Sequence, residues 1–347
     1  MTASLTARLT VDLEAIVRNW RALDSLSAPE CETAAVVKGD GYGCGAKEVG
    51  ATLAKAGVRT FFVAVPTEAA VLREAIGSQP VIYVLGGYGE AEKALYTAKD
   101  LRPVLNSAEQ ARAWFRDYPG ASCAIQLDTG MNRLGMEAAE LASLGELPDS
   151  VGLLMSHMGC ADEPEHPINS SQLNEFTRLT GDLSIRRSLS ATAGLLLGGA
   201  YHFDLTRMGI GLYGGWPFEA AHRVVTVEAP VIQVRDLAPG ETVGYGASFV
   251  ADRPTRIATI SAGYADGLIR ALSGGATGFV GGQPVPFAGR VSMDLITLDV
   301  TDVACAPGDM VEILGPNQSI DDLAKSAGTI GHEILTSLGS RYQRDYR

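Results

Sequence analysis

The sequence lacks the cysteine spacing, the positive charge and the long apolar run that mark three large classes of protein. Its five cysteines are odd in number and scattered without a CxxC pair, so neither a disulfide framework nor a zinc site is indicated. A formal net charge of −12 argues against nucleic acid or an anionic membrane surface as the main partner. No apolar stretch could span a bilayer, and the first residues lack a secretory signal pattern. We therefore expect a cytoplasmic protein that binds no metal, no membrane and no nucleic acid.

Short apolar runs alternate with helical patterns over the first two thirds of the 347 residues. Strands are predicted at 34–38, 61–64, 81–85, 102–105, 123–128, 151–157, 187–192 and 203–207. Helices are predicted between them, with Thr67 capping one and Ser107 beginning another. Eight strands in this rhythm predict an α/β fold, an N-terminal (β/α)8 barrel of the TIM type. A doubly wound open sheet shows the same alternation, although no GxGxxG follows the first strand.

The pattern changes after about residue 217 to short alternating runs bounded by turns, which is typical of an antiparallel β domain. The strands predicted there are 224–234, 242–250, 255–261, 278–280, 286–291, 295–300 and 310–314, followed by helices near 321–325 and 330–338. We therefore predict a barrel over residues 8–217 and a mainly antiparallel C-terminal β domain over residues 218–347. Residues 1–7 are expected to add a strand to the second domain.

The stretch from Ala34 to Gly45 joins a buried strand, one lysine and a glycine-rich turn. Lysine is rarely buried without a partner or a function, and the glycines allow close approach of a ligand. This arrangement suits a Lys38 that forms a Schiff base with a carbonyl compound. The alternative is a lysine that extends to solvent at an ordinary strand end.

Several polar residues lie at or beyond the ends of predicted strands. In a barrel these positions fall on the C-terminal face, where such folds build active sites. They are Tyr42, Asp128, Arg133, His157, Thr192 and Arg207. Taken singly, His157 could be a core histidine, Thr192 a helix cap, Arg133 a solvated charge, and Arg207 a surface partner of Asp204. Titratable groups gathered at one face favour a functional site instead.

Six ordered motifs resemble those of the alanine racemases, a family of fold-type III enzymes that use pyridoxal 5'-phosphate (PLP). They are Val36–Gly43 (VVKGDGYG), Asp128–Gly135 (DTGMNRLG), Arg207–Gly214 (RMGIGLYG), Val243–Ala247 (VGYGA), Gly263–Gly267 (GYADG) and Gly289–Asp294 (GRVSMD). The resemblance covers nearly the whole chain. It implies an enzyme that interconverts L-alanine and D-alanine and so supplies D-alanine for peptidoglycan. It also implies a homodimer with shared active sites.

The resemblance also implies a role for each matching residue. Lys38 would carry the cofactor and act as one base, and Tyr245 of the second subunit would act as the base on the opposite face of the substrate. A free phenol titrates near ~10, so nearby cations are needed for Tyr245 to act as a base. Arg207 would face the pyridine nitrogen and disfavour transamination, because an unprotonated ring is a weaker electron sink. The remaining implied roles are cofactor binding for Tyr42, His157, Thr192, Gly209 and Ile210, substrate binding for Arg133 and Met293, and the site entrance for Tyr264.

Some positions depart from the family pattern. Gln126 stands where a lysine is common, Ala191 and Thr192 replace asparagine and serine, and Ser340 and Gln343 replace tyrosine and proline. A wider entrance at Ser340 would admit serine and other small amino acids. Three alternatives therefore stay open: a broader small amino-acid racemase, a fold-related PLP decarboxylase, and a non-catalytic PLP-binding protein.

Overall fold

Eight parallel strands pair with one another in the order in which they occur along the N-terminal part of the chain. They belong to a computed structural model that describes residues 5–347. The strands are Glu32–Val36, Thr60–Val63, Val81–Val84, Arg102–Leu105, Cys123–Gln126, Val151–Met155, Arg187–Ser188 and Leu205–Met208. A strand therefore occupies every predicted position, and most of these strands are apolar runs that a parallel sheet buries on both faces. The seventh, Arg187–Ser188, is polar and shorter than predicted.

The eighth strand returns to the first, which distinguishes a barrel from an open sheet. Ala34 of the first strand pairs with Arg207 of the eighth, and Ala191, just after the seventh strand, forms a bridge with Arg207. The sheet thus nearly closes on itself. The predicted (β/α)8 barrel is confirmed, and the doubly wound alternative is wrong.

Helices separate the barrel strands as predicted, and one more helix, Leu13–Leu26, precedes the first strand. The separating helices are Ala46–Ala56, Pro66–Ile76, Lys93–Ala98, Ala108–Asp117, Ala138–Ala142, Ile168–Thr180 and Thr192–Leu196. Ser107 caps its helix by accepting a hydrogen bond from the Gln110 N–H at 3.2 Å. The cap predicted at Thr67 is wrong, because that helix begins at Pro66, a residue that suits the first helical position.

The backbone between Lys38 and Gly43 departs most from expectation. The strand before it ends at Val36 rather than at Lys38. Gly39, Asp40, Gly41 and Tyr42 all have positive φ, between 52° and 63°, and form a single left-handed turn. The two glycines adopt this conformation at little cost, whereas Asp40 and Tyr42 adopt it against their steric preference.

A second, mostly antiparallel sheet is built from the C-terminal part of the chain. Its strands, with a small separate hairpin, are Arg8–Val11, Val225–Leu237, Thr242–Val243, Phe249–Val250, Thr255–Ile260, Thr277–Val280, Gln283–Pro286, Ile296–Asp299, Met310–Leu314 and Gln343–Tyr346, and its helices are Ile320–Ser326 and Gly331–Ser337. The predicted mainly antiparallel domain is therefore confirmed. Arg8–Val11 pairs in parallel with Gln343–Tyr346, a polar edge strand that the sequence pattern did not predict.

Two details of the predicted β domain are wrong. The run 242–250 forms two short strands separated by a turn, because glycines with positive φ at 244 and 246 interrupt it. The strand expected at 286–291 lies instead at Gln283–Pro286, and Gly289 turns the chain with a φ of 86°.

The chain divides into two compact units. The barrel unit contains residues 16–212 and 217–221, and the β unit contains residues 5–15, 213–216 and 222–347. The first strand of the β unit begins at Arg8. Of the segment 1–7 expected to form a strand, residues 1–4 lie outside the described residues.

Candidate active site

Lys38 follows the C-terminal end of the first barrel strand, as the sequence predicts. Much of its side chain is open to solvent. Desolvation of the amine and the positive charge of Arg133 lower the pKa of Lys38, with a smaller contribution from Arg207, while Glu68 opposes them. A lowered pKa favours the neutral amine, which is the form that acts as a nucleophile and as a base.

Arg207 is buried on the eighth strand, with 3% of its surface exposed. Its Nη1 donates to the Ser188 Oγ at 2.5 Å, and its Nη2 donates to the carbonyls of Ser156 at 2.6 Å and Leu189 at 3.2 Å. Burial lowers the pKa of Arg207 to about 9, so the guanidinium remains charged at neutral pH. The alternative pairing of Arg207 with Asp204 is wrong, since Asp204 pairs with Arg187.

His157 lies beside this buried cation. Its Nδ1 is 3.4 Å from the Arg207 Nη2. Burial and the charges of Arg207, Arg133 and Lys38 lower the pKa of His157 to about 3, so the ring is neutral at physiological pH. Because Arg207 can only donate, Nδ1 accepts and the ring proton resides on Nε2.

Tyr42, Thr192 and Gly209 come together at the C-terminal ends of the first and eighth strands. The Thr192 Oγ1 accepts hydrogen bonds from the Gly209 and Gly211 N–H groups at 3.2 and 3.3 Å. It is not the helix cap considered from the sequence, because the residue before the helix is Ala191. A Cβ on Gly209 would lie 2.5 Å from the Tyr42 hydroxyl, so glycine is required here for close approach. Ile210, which is buried, begins the helical turn that follows.

Tyr42 is itself buried, with 6% of its surface exposed. Burial raises the pKa of its phenol far above the ordinary value. The hydroxyl therefore stays protonated at every physiological pH and can donate a hydrogen bond.

The loop that carries Arg133 is held by one carboxylate. Asp128 Oδ1 accepts from the N–H groups of Gly130, Met131 and Asn132 at 2.9, 3.0 and 3.1 Å. Arg133 is exposed, yet its charge acts on both Lys38 and His157. Among residues 5–347 the structure gives no hydrogen bond between Gln126 and Arg133, so Asp128 rather than Gln126 organises this loop.

A buried polar network connects this loop to His157. The Gln172 Nε2 donates to the His157 carbonyl at 2.9 Å and to the Thr129 Oγ1 at 3.2 Å, and its Oε1 accepts from the Gly159 N–H at 2.8 Å. The Thr129 and Ser156 hydroxyls lie 2.8 Å apart. Together with Ser188, these residues were missed by the sequence analysis. Their sequence signal is weak, because one polar residue in a strand or helix does not reveal which backbone groups it meets.

In the β unit, Tyr245 lies on a turn between two glycines with positive φ, Gly244 and Gly246. Its side chain is 72% exposed. The Arg290 guanidinium packs against Gly246, where a Cβ would lie 3.1 Å from Arg290 Cζ. The turn therefore presents the phenol outward and places a cation next to its backbone.

Tyr264 and Met293 lie on two further turns of the same unit, which hydrogen bonds hold together. The Tyr264 and Ala265 N–H groups donate to the carbonyls of Ser292 and Met293 at 3.0 and 2.9 Å. Arg341 bridges the two turns through Asp266 at 3.0 Å and Asp294 at 2.6 Å. Both Tyr264 and Met293 are exposed, at 41% and 53%.

Comparison with known proteins accounts for both units. Residues 11–217 match the model of the alanine racemase N-terminal domain, and residues 224–346 match that of the C-terminal domain. The alanine racemase of Cereibacter sphaeroides is 53% identical over 343 residues, with 98% of each chain covered. The chain belongs to the alanine racemase family. It is an enzyme of that family rather than a binding protein that shares only the barrel.

Further relatives agree in sequence and in fold. The biosynthetic alanine racemase of Agrobacterium fabrum is 46% identical, with 98% of this chain and 93% of that one covered. The crystal structure of the Bartonella henselae alanine racemase with covalently bound pyridoxal phosphate superposes with a TM-score of 0.93 at 38% identity, over 99% of this chain and 100% of that one. Within residues 5–347, none of the helices combines the length and apolar character needed to cross a membrane.

The candidate site residues divide between the two units. The barrel unit contains Lys38, Tyr42, His157, Thr192, Arg207, Gly209 and Ile210, and the charge of Arg133 lowers the pKa of Lys38 and of His157. The β unit carries Tyr245, Tyr264 and Met293. Ser340, one of the positions that depart from the family pattern, is exposed.

Proposed function

We propose that this enzyme interconverts L-alanine and D-alanine by a two-base mechanism that uses PLP and so supplies D-alanine for peptidoglycan. The observation that carries the proposal is the lysine amine of lowered pKa at the mouth of the barrel, beside Arg133 and the buried Arg207. Membership of the alanine racemase family supports the reaction, and the free cysteines fit a cytoplasmic location.

The barrel residues fit the cofactor. Lys38 would hold it covalently, and Tyr42, Thr192, Gly209 and Ile210 would hold its phosphate. The fit rests on the close packing of Tyr42 and Thr192 against Gly209 and Gly211, where a Cβ would collide with both side chains, because it gathers two hydroxyls and two backbone N–H groups in one place. Since the Thr192 oxygen accepts from two N–H groups, its own hydroxyl hydrogen would be the donor to a phosphate oxygen. When bound, PLP provides the electron sink that stabilises negative charge at the substrate Cα.

Proton transfer is assigned to Lys38 and Tyr245. Desolvation and the charge of Arg133 lower the pKa of Lys38, which favours the neutral amine that would take a proton from Cα. Tyr245 would return a proton to the opposite face, supplied by the second subunit of a head-to-tail homodimer. Its 72% exposure, together with that of Tyr264 and Met293, is typical of a surface that a partner covers.

The remaining residues would bind the substrate and favour racemisation over other PLP reactions. Arg133 would bind the substrate carboxylate, because a guanidinium matches that group with two hydrogen bonds. The Met293 backbone would approach the same carboxylate, and Tyr264 would line the entrance. Arg207, which stays charged at neutral pH, would face the ring nitrogen and could only donate a hydrogen bond to it. That arrangement disfavours transamination, and it also disfavours the decarboxylase alternative, which pairs this nitrogen with a carboxylate.

The reaction is tested by incubating the PLP-loaded protein with L-alanine in heavy water. We expect deuterium at Cα and formation of D-alanine. Exchange without D-alanine would exclude Tyr245 as the second base, and absence of both would overturn the proposal. L-serine in a parallel incubation distinguishes a strict alanine racemase from a broader one.

The shared site is tested by mixing two inactive variants, Lys38→Ala and Tyr245→Phe. If each site combines Lys38 of one subunit with Tyr245 of the other, a mixed dimer contains one intact site and activity returns after subunit exchange. If each chain supplied both bases to its own site, mixing would restore nothing. Sedimentation of each variant provides the control that both remain dimeric.

A further inference from the structure

The left-handed turn after Lys38 needs support from outside itself. Asp40 and Tyr42 have φ values of 52° and 55°, a conformation that L residues other than glycine adopt reluctantly. Such strain persists only where the surroundings hold it in place. Within the turn, Asp40 Oδ1 accepts from the Ala46 N–H at 2.9 Å, which secures its far end.

Glu68 secures the near end. It lies in the first turn of the Pro66–Ile76 helix, which follows the second barrel strand. One carboxylate oxygen accepts from the Gly39 N–H at 2.7 Å, and the other accepts from the Ala64 N–H at 2.8 Å. The carboxylate thus ties the peptide directly after Lys38 to the end of the neighbouring strand.

The same carboxylate is the negative charge that acts on the Lys38 amine. Arg133 and Arg207 lower the pKa of Lys38, and Glu68 opposes them. Glu68 is only partly buried, and its two oxygens are engaged by backbone groups rather than by a cation. Its charge is therefore available to balance the two arginines.

We propose that Glu68 is a positioning residue for Lys38: its carboxylate fixes the left-handed turn that follows the lysine and keeps a negative charge near the amine. The catalytic consequence rests on the proposed function, whereas the effect on Lys38 itself does not. None of the sequence motifs includes Glu68, which lies 30 residues beyond Lys38 on a different strand-to-helix connection.

The test compares Glu68→Gln with Glu74→Gln. Glu74 lies on the same helix and pairs at the surface with Lys99, so it controls for loss of one acidic residue. The titration of Lys38 in the cofactor-free protein is followed by pulse labelling with acetic anhydride across pH and mass spectrometry of its peptide. We expect the midpoint to fall by about one pH unit in Glu68→Gln, the size typical of a nearby opposite charge, and to stay unchanged in Glu74→Gln.

Kinetics of the PLP-loaded variants provide the second readout. An amide can accept from only one of the two N–H groups and turns a donor toward the other. We therefore expect kcat of Glu68→Gln to fall about tenfold with KM changed less than about threefold, since placement of the base and not substrate binding is disturbed. Circular dichroism melting checks that the variant is folded.

The outcomes separate the two proposals. An unchanged Lys38 midpoint and an unchanged kcat in folded Glu68→Gln would overturn the role of Glu68. A shifted midpoint in a protein whose wild type racemises nothing would support Glu68 and overturn the proposed function. If Glu68→Gln does not fold, Glu68→Asp keeps the charge but reaches only one N–H; we then expect a near-normal midpoint with a reduced kcat, and an unchanged kcat would count against the role.

Discussion

The two units present tyrosines in opposite ways. In the barrel, Tyr42 is 6% exposed and its hydroxyl lies against Gly209, whereas in the β unit Tyr245 is 72% exposed on a turn between glycines. Burial raises the pKa of Tyr42, so its phenol stays protonated and can donate a hydrogen bond but is a poor candidate for a base.

The same contrast extends to the other site residues. Arg207, His157 and Thr192 are held by hydrogen bonds inside the barrel, while Tyr264 and Met293 are exposed. A barrel assembles its own half of a site because parallel strand ends converge. Turns of a β domain instead display side chains at its surface. Under the proposed function, the barrel provides the cofactor site and the β unit provides the groups that complete the site when two subunits assemble.

The largest loss of activity is expected for replacement of Lys38. Lys38→Ala should reduce racemisation by about 10⁴-fold or more, because it removes both the attachment of the cofactor and one base. Lys47→Ala, an exposed lysine of the next helix, is the matched control and should be nearly silent. Racemisation assayed with D-amino-acid oxidase gives the measurement. Activity of Lys38→Ala within tenfold of wild type would contradict the assignment.

The two tyrosines should respond very differently to loss of one hydroxyl. Tyr245→Phe should lower kcat by about 10²- to 10⁴-fold, as expected for a lost general acid or base. Tyr42→Phe should leave kcat within about tenfold of wild type and should weaken PLP binding, because only a donor is lost. Steady-state kinetics and PLP titration separate the effects. Equal losses of kcat in both variants would contradict the assignment of Tyr245 as a base and Tyr42 as a hydrogen-bond donor.

A smaller effect is expected at Thr192. Thr192→Val removes the acceptor of the Gly209 and Gly211 N–H groups and should weaken PLP binding about tenfold. Thr192→Ser keeps the hydroxyl and should bind PLP nearly as well as wild type. Fluorescence titration of the cofactor-free protein measures both. Identical affinity of the valine and serine variants for PLP would exclude Thr192 from the residues that hold the phosphate.

The smallest effect concerns stability against acid. The folded-state pKa of His157 is lowered to about 3, whereas an unfolded histidine titrates near ~6.5. The unfolded chain therefore binds the extra proton between these values, so stability is lost as pH falls from about 6.5 toward 3. Partial exposure of the ring reduces this loss to about 1 kcal/mol at pH 5. Urea unfolding of the cofactor-free protein at pH 7 and pH 5 should show a smaller loss in His157→Gln, and an equal loss would contradict the lowered pKa.

Much of the barrel could be predicted because its signal is local. Most of the eight strands are short apolar runs that must be buried, Lys38, His157 and Thr192 lie just beyond the ends of strands, and Arg207 lies within the last strand. The cap at Ser107 was predicted for the same reason, since the side chain bonds three residues along its own helix. Thr67 shows the limit of local patterns, because the proline before it already begins the helix.

Other features depend on residues far apart in sequence. The strand Gln343–Tyr346 is polar and exists because Arg8–Val11 offers it a parallel partner. Arg207 and Asp204 are close in sequence, yet burial turns Arg207 toward Ser156, Ser188 and Leu189.

The sequence by itself therefore determined the (β/α)8 barrel, the mainly antiparallel β domain, the family and the residues that carry the proposed chemistry, because periodicity and ordered motifs are written along the chain. Only the tertiary structure decided the pKa values, the burial and the hydrogen-bond partners of those residues. It lowered the pKa of Lys38 and of His157, buried Arg207 and placed Glu68 against the turn after Lys38. Desolvation and charge depend on distances between distant residues, and those distances exist only once the strands have closed into a barrel.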